Sequence, residues 1–348
     1  MNIKQKIFVS VSILLTVGSL FFVPWGQLRV YFTPLPETVQ EQLDDAIDNG
    51  LDGMIVYVDK KGQAPKFYVS GWKNRDTKTP SDPQALFKIA SITKLYVAAT
   101  VAKLANKQEL PLDRTLAEYL PSLKGRIEYA DQITLSMMVQ HRSGIPNYSD
   151  APNYPWHDPS DDTGDVLKII SGQPADFKPG TGYHYSNTNY YLIGEILKKT
   201  LGHDYQYYIK KEILGPLDLK HTYTSMDEIN MDDLMSGYTI EYDGDLKEVN
   251  HTGPMGSMIA TAQDVGIFLR ALNDGSLFNE DEQAVYSSIY VYGHTGLLPG
   301  YSSIARYHKD IDTVVIQFVN TSGVRMWGIM EVNYKRIVRI LREQESPT

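Results

Sequence analysis

Residues 86–94 read Leu86-Phe87-Lys88-Ile89-Ala90-Ser91-Ile92-Thr93-Lys94, and this stretch is the most informative part of the chain. It begins as a mostly apolar run and continues into a helical pattern over residues 95–104. If the helix begins here, Ser91 and Lys94 lie three residues apart on one face, within side-chain reach. A serine at the start of a helix with a lysine one turn on is a nucleophile beside its proton acceptor.

A second Ser-x-x-Lys sequence, Ser70-Gly71-Trp72-Lys73, follows the strand-like run of residues 66–69. A strand would direct Ser70 and Lys73 to opposite faces, and the residues that follow are polar. We interpret this copy as a turn and assign the chemistry to Ser91, because only Ser91 stands where a strand leads into a helix.

The next informative element is Tyr185-Ser186-Asn187, the only Tyr-x-Asn among the 24 tyrosines of the chain. It lies in a loop rich in glycine and proline, just before a helical pattern over residues 190–201. Loops held by a rigid scaffold often carry catalytic groups. The alternative is that Asn187 caps the helix and Tyr185 only packs.

The third element is Gly293-His294-Thr295-Gly296, which precedes a hairpin-like stretch and a buried strand predicted over residues 313–319. A second copy, His251-Thr252-Gly253, precedes Pro254, which cannot donate to a sheet ladder. We therefore assign the active-site role to the copy at His294 and a loop role to the copy at His251.

In this order, the three motifs resemble those of the serine β-lactamase and DD-peptidase superfamily, whose nucleophile stands in a Ser-x-x-Lys motif. They are most similar to the branch that holds class C β-lactamases, DD-carboxypeptidases and β-lactamase-related esterases. Residues 86–90, 139–146 and 258–264 resemble further stretches of these proteins, and the resemblance runs from about residue 40 to about residue 340. It implies an α/β (α+β) fold in which helices flank an antiparallel β-sheet and an all-helical subdomain is inserted.

Two positions separate the chain from other branches of the superfamily. His294 stands where penicillin-binding proteins and class C β-lactamases usually carry lysine, which weakens the case for an efficient β-lactamase. Tyr185 stands where class A β-lactamases carry serine, and we could place no deacylating glutamate of the class A kind. The branch that carries tyrosine therefore fits better.

The resemblance implies that Ser91 forms an acyl-enzyme and that Lys94 and Tyr185 converge on it. Burial of Lys94 would favour its neutral form, whereas a cationic Lys94 would push Tyr185 towards phenolate. The sequence leaves open which of the two takes the serine proton.

The remaining site residues are also implied by the resemblance. Asn187 would hold the catalytic lysine and the substrate amide. His294 and Thr295, followed by Gly296, would line a strand edge and contact a substrate carboxylate or move a proton. The oxyanion hole would consist of the backbone N–H groups of the nucleophile and of Leu297.

Composition excludes several classes of function. The chain has 348 residues, of which 42% are hydrophobic and 22% are charged, as in ordinary globular proteins. It has no cysteine, which excludes disulfides, a thiolate nucleophile, cysteine-bound zinc and a lipidated cysteine. A net charge of −9 argues against nonspecific binding to nucleic acid. The histidines lack the spacing of metal ligands, so we expect no metal and no cofactor.

The N-terminus has the pattern of an export signal. Lys4 and Lys6 precede an apolar run over residues 7–23, which predicts that the positive end stays in the cytoplasm. The run is at the short limit for a spanning helix. We favour an uncleaved anchor within residues 1–33, and cleavage after Ser19, with secretion, is the alternative. In both cases the domain of residues 34–348 lies outside the membrane.

The rest of the chain is predicted to form one domain. An amphipathic helix over residues 37–49 precedes a strand pair over residues 54–58 and 66–69, and a final helix covers residues 326–341. Short helical patterns separated by loops occupy about residues 112–285, which we assign to the helical insertion. Strands near both ends of the chain would then form one sheet.

The leading functional hypothesis is hydrolysis of D-alanyl peptides of the cell wall, as in a DD-carboxypeptidase. Hydrolysis is favoured over transpeptidation because we expect no second large domain. A β-lactamase, a promiscuous ester hydrolase or a D-alanyl esterase on teichoic acid would share every motif. A hypothesis of another class is a non-catalytic protein that binds a wall polymer, although a vestigial site tends to lose one of its members.

Overall fold

The computed structural model describes residues 3–20, 31–152, 154–156 and 164–344. The strands are β1 (Gly53–Lys60), β2 (Lys66–Asn74), β3 (Thr79–Pro80), β4 (Phe87–Lys88), β5 (Thr222–Tyr223), β6 (Tyr238–Thr239), β7 (Ile259–Ala260), β8 (His294–Leu298), β9 (Tyr301–His308), β10 (Thr313–Val319) and β11 (Thr321–Ser322). The helices are α1 (Ile3–Leu20), α2 (Val39–Asp48), α3 (Thr93–Asn106), α4 (Leu116–Tyr119), α5 (Leu135–Val139), α6 (Gly164–Ile170), α7 (Asn187–Leu201), α8 (Tyr205–Ile209), α9 (Ala262–Asp274), α10 (Glu280–Ile289) and α11 (Val324–Glu343).

Strands from both ends of the chain form one six-stranded antiparallel sheet, in the order β3-β2-β1-β10-β9-β8. Ile55 of β1 lies opposite Val69 of β2 on one side and Phe318 of β10 on the other. The predicted sheet is therefore confirmed, and β8, which carries the His294 motif, is one of its two edge strands.

Helices cover both faces of the sheet, which explains why β1 is a nearly continuous apolar run. Ile55 and Tyr57 of β1 pack into a core with α3 and α9. Met54 and Val56 pack into a second core with α2 and α11. Because successive side chains of a strand point to opposite faces, a central strand between two helical layers must be apolar at every position.

Local sequence signals set the ends of the predicted helices. Thr38 and Glu41 form a capping box at the start of α2, and the Thr261 side chain accepts a hydrogen bond from the Asp264 backbone at the start of α9. The four longer helices that the sequence predicts all form, with ends that differ by a few residues. The prediction of a turn at Ser70 was wrong, because β2 continues to Asn74.

A small three-stranded sheet, in the order β4-β7-β5, ties the strand before the nucleophile to the second half of the chain. The Ile89 backbone N–H also donates to the Met258 carbonyl at 3.1 Å. This region therefore contains short strands as well as the helices predicted between about residues 112 and 285. Helix α9, near the end of this region, packs on the central sheet. The limits of the predicted helical insertion, about residues 112–285, stay a prediction.

Helix α1 covers most of the predicted apolar run. Within the described ranges, no helix has both the length and the apolar character that a membrane span needs. Residues 21–23, the end of the run, lie outside the described residues.

Candidate active site

Ser91 lies in a tight turn between β4 and α3, where the backbone adopts an uncommon conformation. The residue before it, Ala90, has a φ of +51° in the left-handed region, and residues 90–92 form a turn of 3₁₀ helix. A non-glycine residue held there costs about 1–3 kcal/mol and is typical of functional sites. The turn exposes part of the Ser91 side chain, whereas residues 85–90 and 92–102 are buried.

Lys94 is one helical turn away, and its side chain is fully buried. Its Nζ lies 3.0 Å from Ser91 Oγ and donates to the Met255 carbonyl at 2.6 Å. Lys94 has no ion-pair partner in the described part of the chain. Burial without a countercharge lowers the pKa of Lys94 well below its usual value, which favours the neutral amine.

Tyr185 approaches Ser91 from the loop before α7. Its hydroxyl donates to Ser91 Oγ at 2.9 Å, and Lys94 Nζ lies 5.1 Å from the centre of its ring. Burial raises the pKa of Tyr185 above the ordinary range for a phenol. The two pKa shifts have opposite directions, so the neutral amine of Lys94 is better suited than Tyr185 to accept the serine proton.

Asn187 follows Tyr185 in the chain by two residues, and its hydrogen bonds go to residues other than the lysine. Its side-chain Nδ2 donates to Ser149 Oγ at 3.0 Å, and its backbone N–H donates to Asn147 Oδ1 at 2.9 Å. Its Oδ1 is buried and has no hydrogen-bond partner within residues 31–152, 154–156 and 164–344. Asn187 therefore makes no hydrogen bond to Lys94, contrary to the expectation that it holds the lysine. The alternative of a cap was wrong as well, because Ser186 occupies the N-cap of α7.

Strand β8 lies directly against the turn that carries Ser91. A Cβ atom on Gly296 would stand 2.4 Å from the Ile89 carbonyl oxygen and 2.4 Å from Ser303 Oγ. Only glycine allows this approach, which explains the residue type at this position of the motif. Leu297 is the next residue of β8, and its side chain is exposed. The close contact at Gly296 therefore brings the segment of Leu297 against the turn that carries Ser91.

His294 and Thr295 begin β8 and are half-buried. The His294 ring centre lies 6.1 Å from that of Tyr185, and its Nδ1 contacts the Thr295 carbonyl. Burial, and then the charge of Lys94, lower the pKa of His294 to about 4. His294 is therefore neutral near pH 7.

A cavity of about 490 Å³ opens beside these residues, at the beginning of β8. Its lining includes Tyr185, His294 and Thr295, together with Arg306 of the neighbouring strand β9. Other lining residues include the tyrosines Tyr183, Tyr292 and Tyr307. Arg306 is exposed and makes no ion pair with any residue that the structure describes. Tyr185, which donates a hydrogen bond to Ser91, and the exposed guanidinium of Arg306 thus line the same cavity.

The second copies of both motifs lie in other surroundings. Ser70 Oγ donates to Asp44 Oδ1 at 2.6 Å, whereas Lys73 Nζ donates to the Asp232 carbonyl at 2.6 Å, so these side chains do not meet. His251 lies in a loop, as predicted, with its ring 6.4 Å from that of Trp156. That loop continues to the Met255 carbonyl that binds Lys94.

Sequence reasoning missed two contributors to the site. The Met255 carbonyl had no signal, because any residue can supply a backbone oxygen. His141, whose ring stacks on that of Tyr185 with centres 4.4 Å apart, stood in a quoted stretch but received no role. No group of three or more His, Asp or Glu residues that could hold a metal occurs in the described ranges. His157, Asp161 and Asp162 lie outside those ranges.

Known proteins share both the sequence pattern and the architecture. Residues 36–289 match the Beta-lactamase family. Protein flp of Staphylococcus aureus (strain MW2) is 28% identical over 228 residues, which are 64% of this chain and 46% of that protein. The chain therefore spans about half the length of the curated relatives it matches.

Two solved structures show the same fold. D-amino acid amidase from Ochrobactrum anthropi SV3 superposes with a TM-score of 0.78 at 22% identity, over 88% of this chain and 98% of that one. A class C β-lactamase superposes with a TM-score of 0.71 at 18% identity, over 89% and 97% of the two chains. Together with the family match over most of its length, this establishes that the chain belongs to the Beta-lactamase family, within the serine β-lactamase and DD-peptidase superfamily of hydrolases.

Proposed function

We propose that this protein is a serine hydrolase that cleaves D-alanyl peptides of the cell wall through an acyl-enzyme, as a DD-carboxypeptidase does. The observation that carries the proposal is the convergence on Ser91 Oγ of a buried lysine at 3.0 Å and a tyrosine hydroxyl at 2.9 Å. A serine hydroxyl is a poor nucleophile until a neighbouring base accepts its proton. A neutral Lys94 can accept it.

The acylation step follows from this geometry. Ser91 Oγ attacks the carbonyl carbon of the scissile amide while its proton moves to the Lys94 amine. The C–N bond then breaks, and the leaving amine takes a proton that Lys94 supplies through the Tyr185 hydroxyl. The acyl group stays on Ser91 as an ester. Water later attacks that ester and gives a proton to the same base, which returns the proton to Ser91 Oγ as the C–O bond breaks and the shortened peptide leaves.

Charge develops on the carbonyl oxygen during attack, and backbone N–H groups are suited to stabilise it. We assign this role to Ser91 and Leu297, because the turn and β8 approach each other at Gly296. Each such donor contributes roughly 3–4 kcal/mol to transition-state stabilisation. This part of the proposal depends on the close contact that glycine permits.

The cavity beside β8 supports a substrate that ends in a carboxylate. Arg306 is exposed there without an ion-pair partner among the described residues, and guanidinium groups bind carboxylates through paired hydrogen bonds. His294, Thr295 and Tyr185 line the same cavity as Arg306, which suits a carboxylate on the leaving group. The D-amino acid amidase of the same fold is named for D-amino acids, which supports a D-alanyl substrate.

Other substrates would use the same nucleophile. A β-lactam also carries a carboxylate, whereas short-chain esters and D-amino acid amides do not. The positive charge of Arg306 in the cavity therefore favours D-alanyl peptides and β-lactams over neutral esters, including a D-alanyl ester. A non-catalytic wall-binding protein is disfavoured, because binding alone does not need a buried lysine at a serine hydroxyl.

A substrate panel tests the proposal. The purified protein would be assayed on a D-Ala-D-Ala peptide, its C-terminal amide, nitrocefin and short-chain esters, with Ser91→Ala as the control. We expect the peptide acid to be the best substrate and a fluorescent penicillin to label Ser91. Labelling without peptide hydrolysis would assign the activity to β-lactams or esters, and no labelling and no turnover would support the binding protein.

We also propose that residues 7–23 export the protein and hold it at the membrane. Lys4 and Lys6 before the apolar run support this orientation. N-terminal sequencing of the membrane and medium fractions tests it. We expect the intact terminus in the membrane fraction, and a product in the medium that begins near Leu20 would mean a cleaved signal peptide.

A further inference from the structure

His141 holds the backbone on both sides of Tyr185. The His184 backbone N–H donates to the His141 carbonyl at 3.0 Å, and the Ser186 backbone N–H donates to His141 Nδ1 at 3.1 Å. These donors are the two neighbours of Tyr185 in the chain. One residue from a distant loop therefore fixes the short segment that presents the tyrosine.

The His141 ring also contacts the tyrosine itself. It stacks on the Tyr185 ring, with centres 4.4 Å apart and an angle of 30° between the planes. It also stacks on Tyr190, at 5.3 Å and 29°. Lys94 Nζ lies 5.1 Å and 5.5 Å from the centres of the same two tyrosine rings. His141 thus belongs to a packed group of rings next to the catalytic amine.

The conformation of His141 is unusual for a residue in the protein interior. Its φ is +56°, in the left-handed region, and only 3% of its surface is exposed. Such a conformation costs about 1–3 kcal/mol and persists only where the surrounding structure holds it. Here the conformation is accompanied by the two hydrogen bonds to the segment of Tyr185.

We propose that His141 is a positioning residue that holds the Tyr185 hydroxyl on Ser91 Oγ. This inference rests on the proposed roles of Ser91 and Tyr185 in acylation. His141 touches neither Ser91 nor the space for the substrate in the contacts described above, so it acts through Tyr185. A displacement of a catalytic group by about 1 Å can cost about 10²-fold in rate.

The hydrogen bond to Ser186 requires a neutral imidazole with its proton on Nε2, because Nδ1 accepts. Burial, and then the nearby Lys94 and His294, lower the pKa of His141 to about 3, and His184 acts in the same direction. The tyrosines that face its ring are Tyr183, Tyr185, Tyr190 and Tyr290. The acceptor is therefore present at every pH above about 4, and it is lost as the pH falls towards 3.

Two substitutions separate the acceptor from the ring. His141→Phe keeps an aromatic ring but leaves the Ser186 N–H without its acceptor. His141→Asn keeps a side-chain oxygen close to the position of Nδ1 and tolerates the left-handed backbone, but it loses the stacking. We expect acylation by a fluorescent penicillin to slow about 10²-fold in His141→Phe and clearly less in His141→Asn. His308→Phe is the matched control, because it keeps a ring but removes the hydrogen bond between His308 Nε2 and the Tyr334 hydroxyl of α11, which are 2.9 Å apart.

A double-mutant cycle with Tyr185→Phe gives the decisive measurement, since a merely structural role would not produce coupling. If His141 acts through the Tyr185 hydroxyl, His141→Phe adds little to the loss in Tyr185→Phe. Full additivity, or a lower melting temperature with an unchanged acylation rate, would overturn the inference. If His141→Phe does not fold, the same cycle with His141→Asn decides. A Tyr185→Phe protein with unchanged acylation would instead overturn the proposed role of Tyr185 and, with it, this inference.

Discussion

Gly296→Ala is the substitution that most directly tests how the active site is assembled. The added Cβ would stand 2.4 Å from both the Ile89 carbonyl oxygen and Ser303 Oγ, whereas ordinary contacts begin near 3.4 Å. The carbonyl belongs to the backbone just before Ser91 and cannot rotate away. Strand β8 and the turn must therefore separate by about 1 Å, which predicts a loss of about 10²-fold in acylation rate, or about 2.7 kcal/mol.

Gly256→Ala is a matched control, because Gly256 belongs to another loop that packs against the same turn. A Cβ atom on Gly256 would lie 3.5 Å from the nearest atom of Ala90, which is ordinary van der Waals contact. We expect this variant to keep its acylation rate within a few-fold of the wild type. Both variants would be purified, checked for folding by circular dichroism and assayed by stopped-flow acylation with a fluorescent penicillin.

The two variants together can refute the reasoning. If Gly296→Ala is as fast as the wild type while it remains folded, the contact between β8 and the turn does not set the oxyanion hole. If both variants are slowed equally, the effect belongs to the turn as a whole and not to the approach of β8.

Four further predictions can be checked with the same protein. Ser91→Ala should lower kcat by about 10⁵–10⁶-fold while the protein folds, and intact-mass spectrometry should find the β-lactam adduct on Ser91 alone. Lys94→Met and Tyr185→Phe should each slow acylation by orders of magnitude, and additive losses in the double mutant would show that they do not share one proton transfer. Activity should fall at acid pH as Lys94, which must be neutral to accept a proton, becomes protonated. Because burial lowers the pKa of His294 to about 4, His294→Gln should leave the profile of kcat/KM between pH 6 and 8 unchanged. Loss of the acid limb in that variant would assign the limb to His294. Gly266→Ala should destabilise the fold by about 1–3 kcal/mol in urea denaturation, because its Cβ would stand 2.2 Å from a tyrosine ring of β1, and an unchanged midpoint would mean that the ring moves freely.

The sequence by itself determined the elements whose signals are local. The run of residues 313–319 was predicted as a strand and is β10, because an apolar β-branched stretch of that length fits a buried strand. The helix after Ser91 formed where the pattern indicated. The motifs also identified Ser91, Lys94 and Tyr185 by residue type and spacing, and the structure places all three side chains in contact.

The tertiary structure decided the contacts between distant segments and the protonation of the groups. Asn187 binds Ser149 and not the lysine, and the Met255 carbonyl takes that place through a backbone oxygen that has no residue signature. Sequence left the choice of base open because a pKa depends on burial and neighbouring charge, which are known only once the chain is folded. For the same physical reason, the sequence could not show that burial lowers the pKa of His294 to about 4.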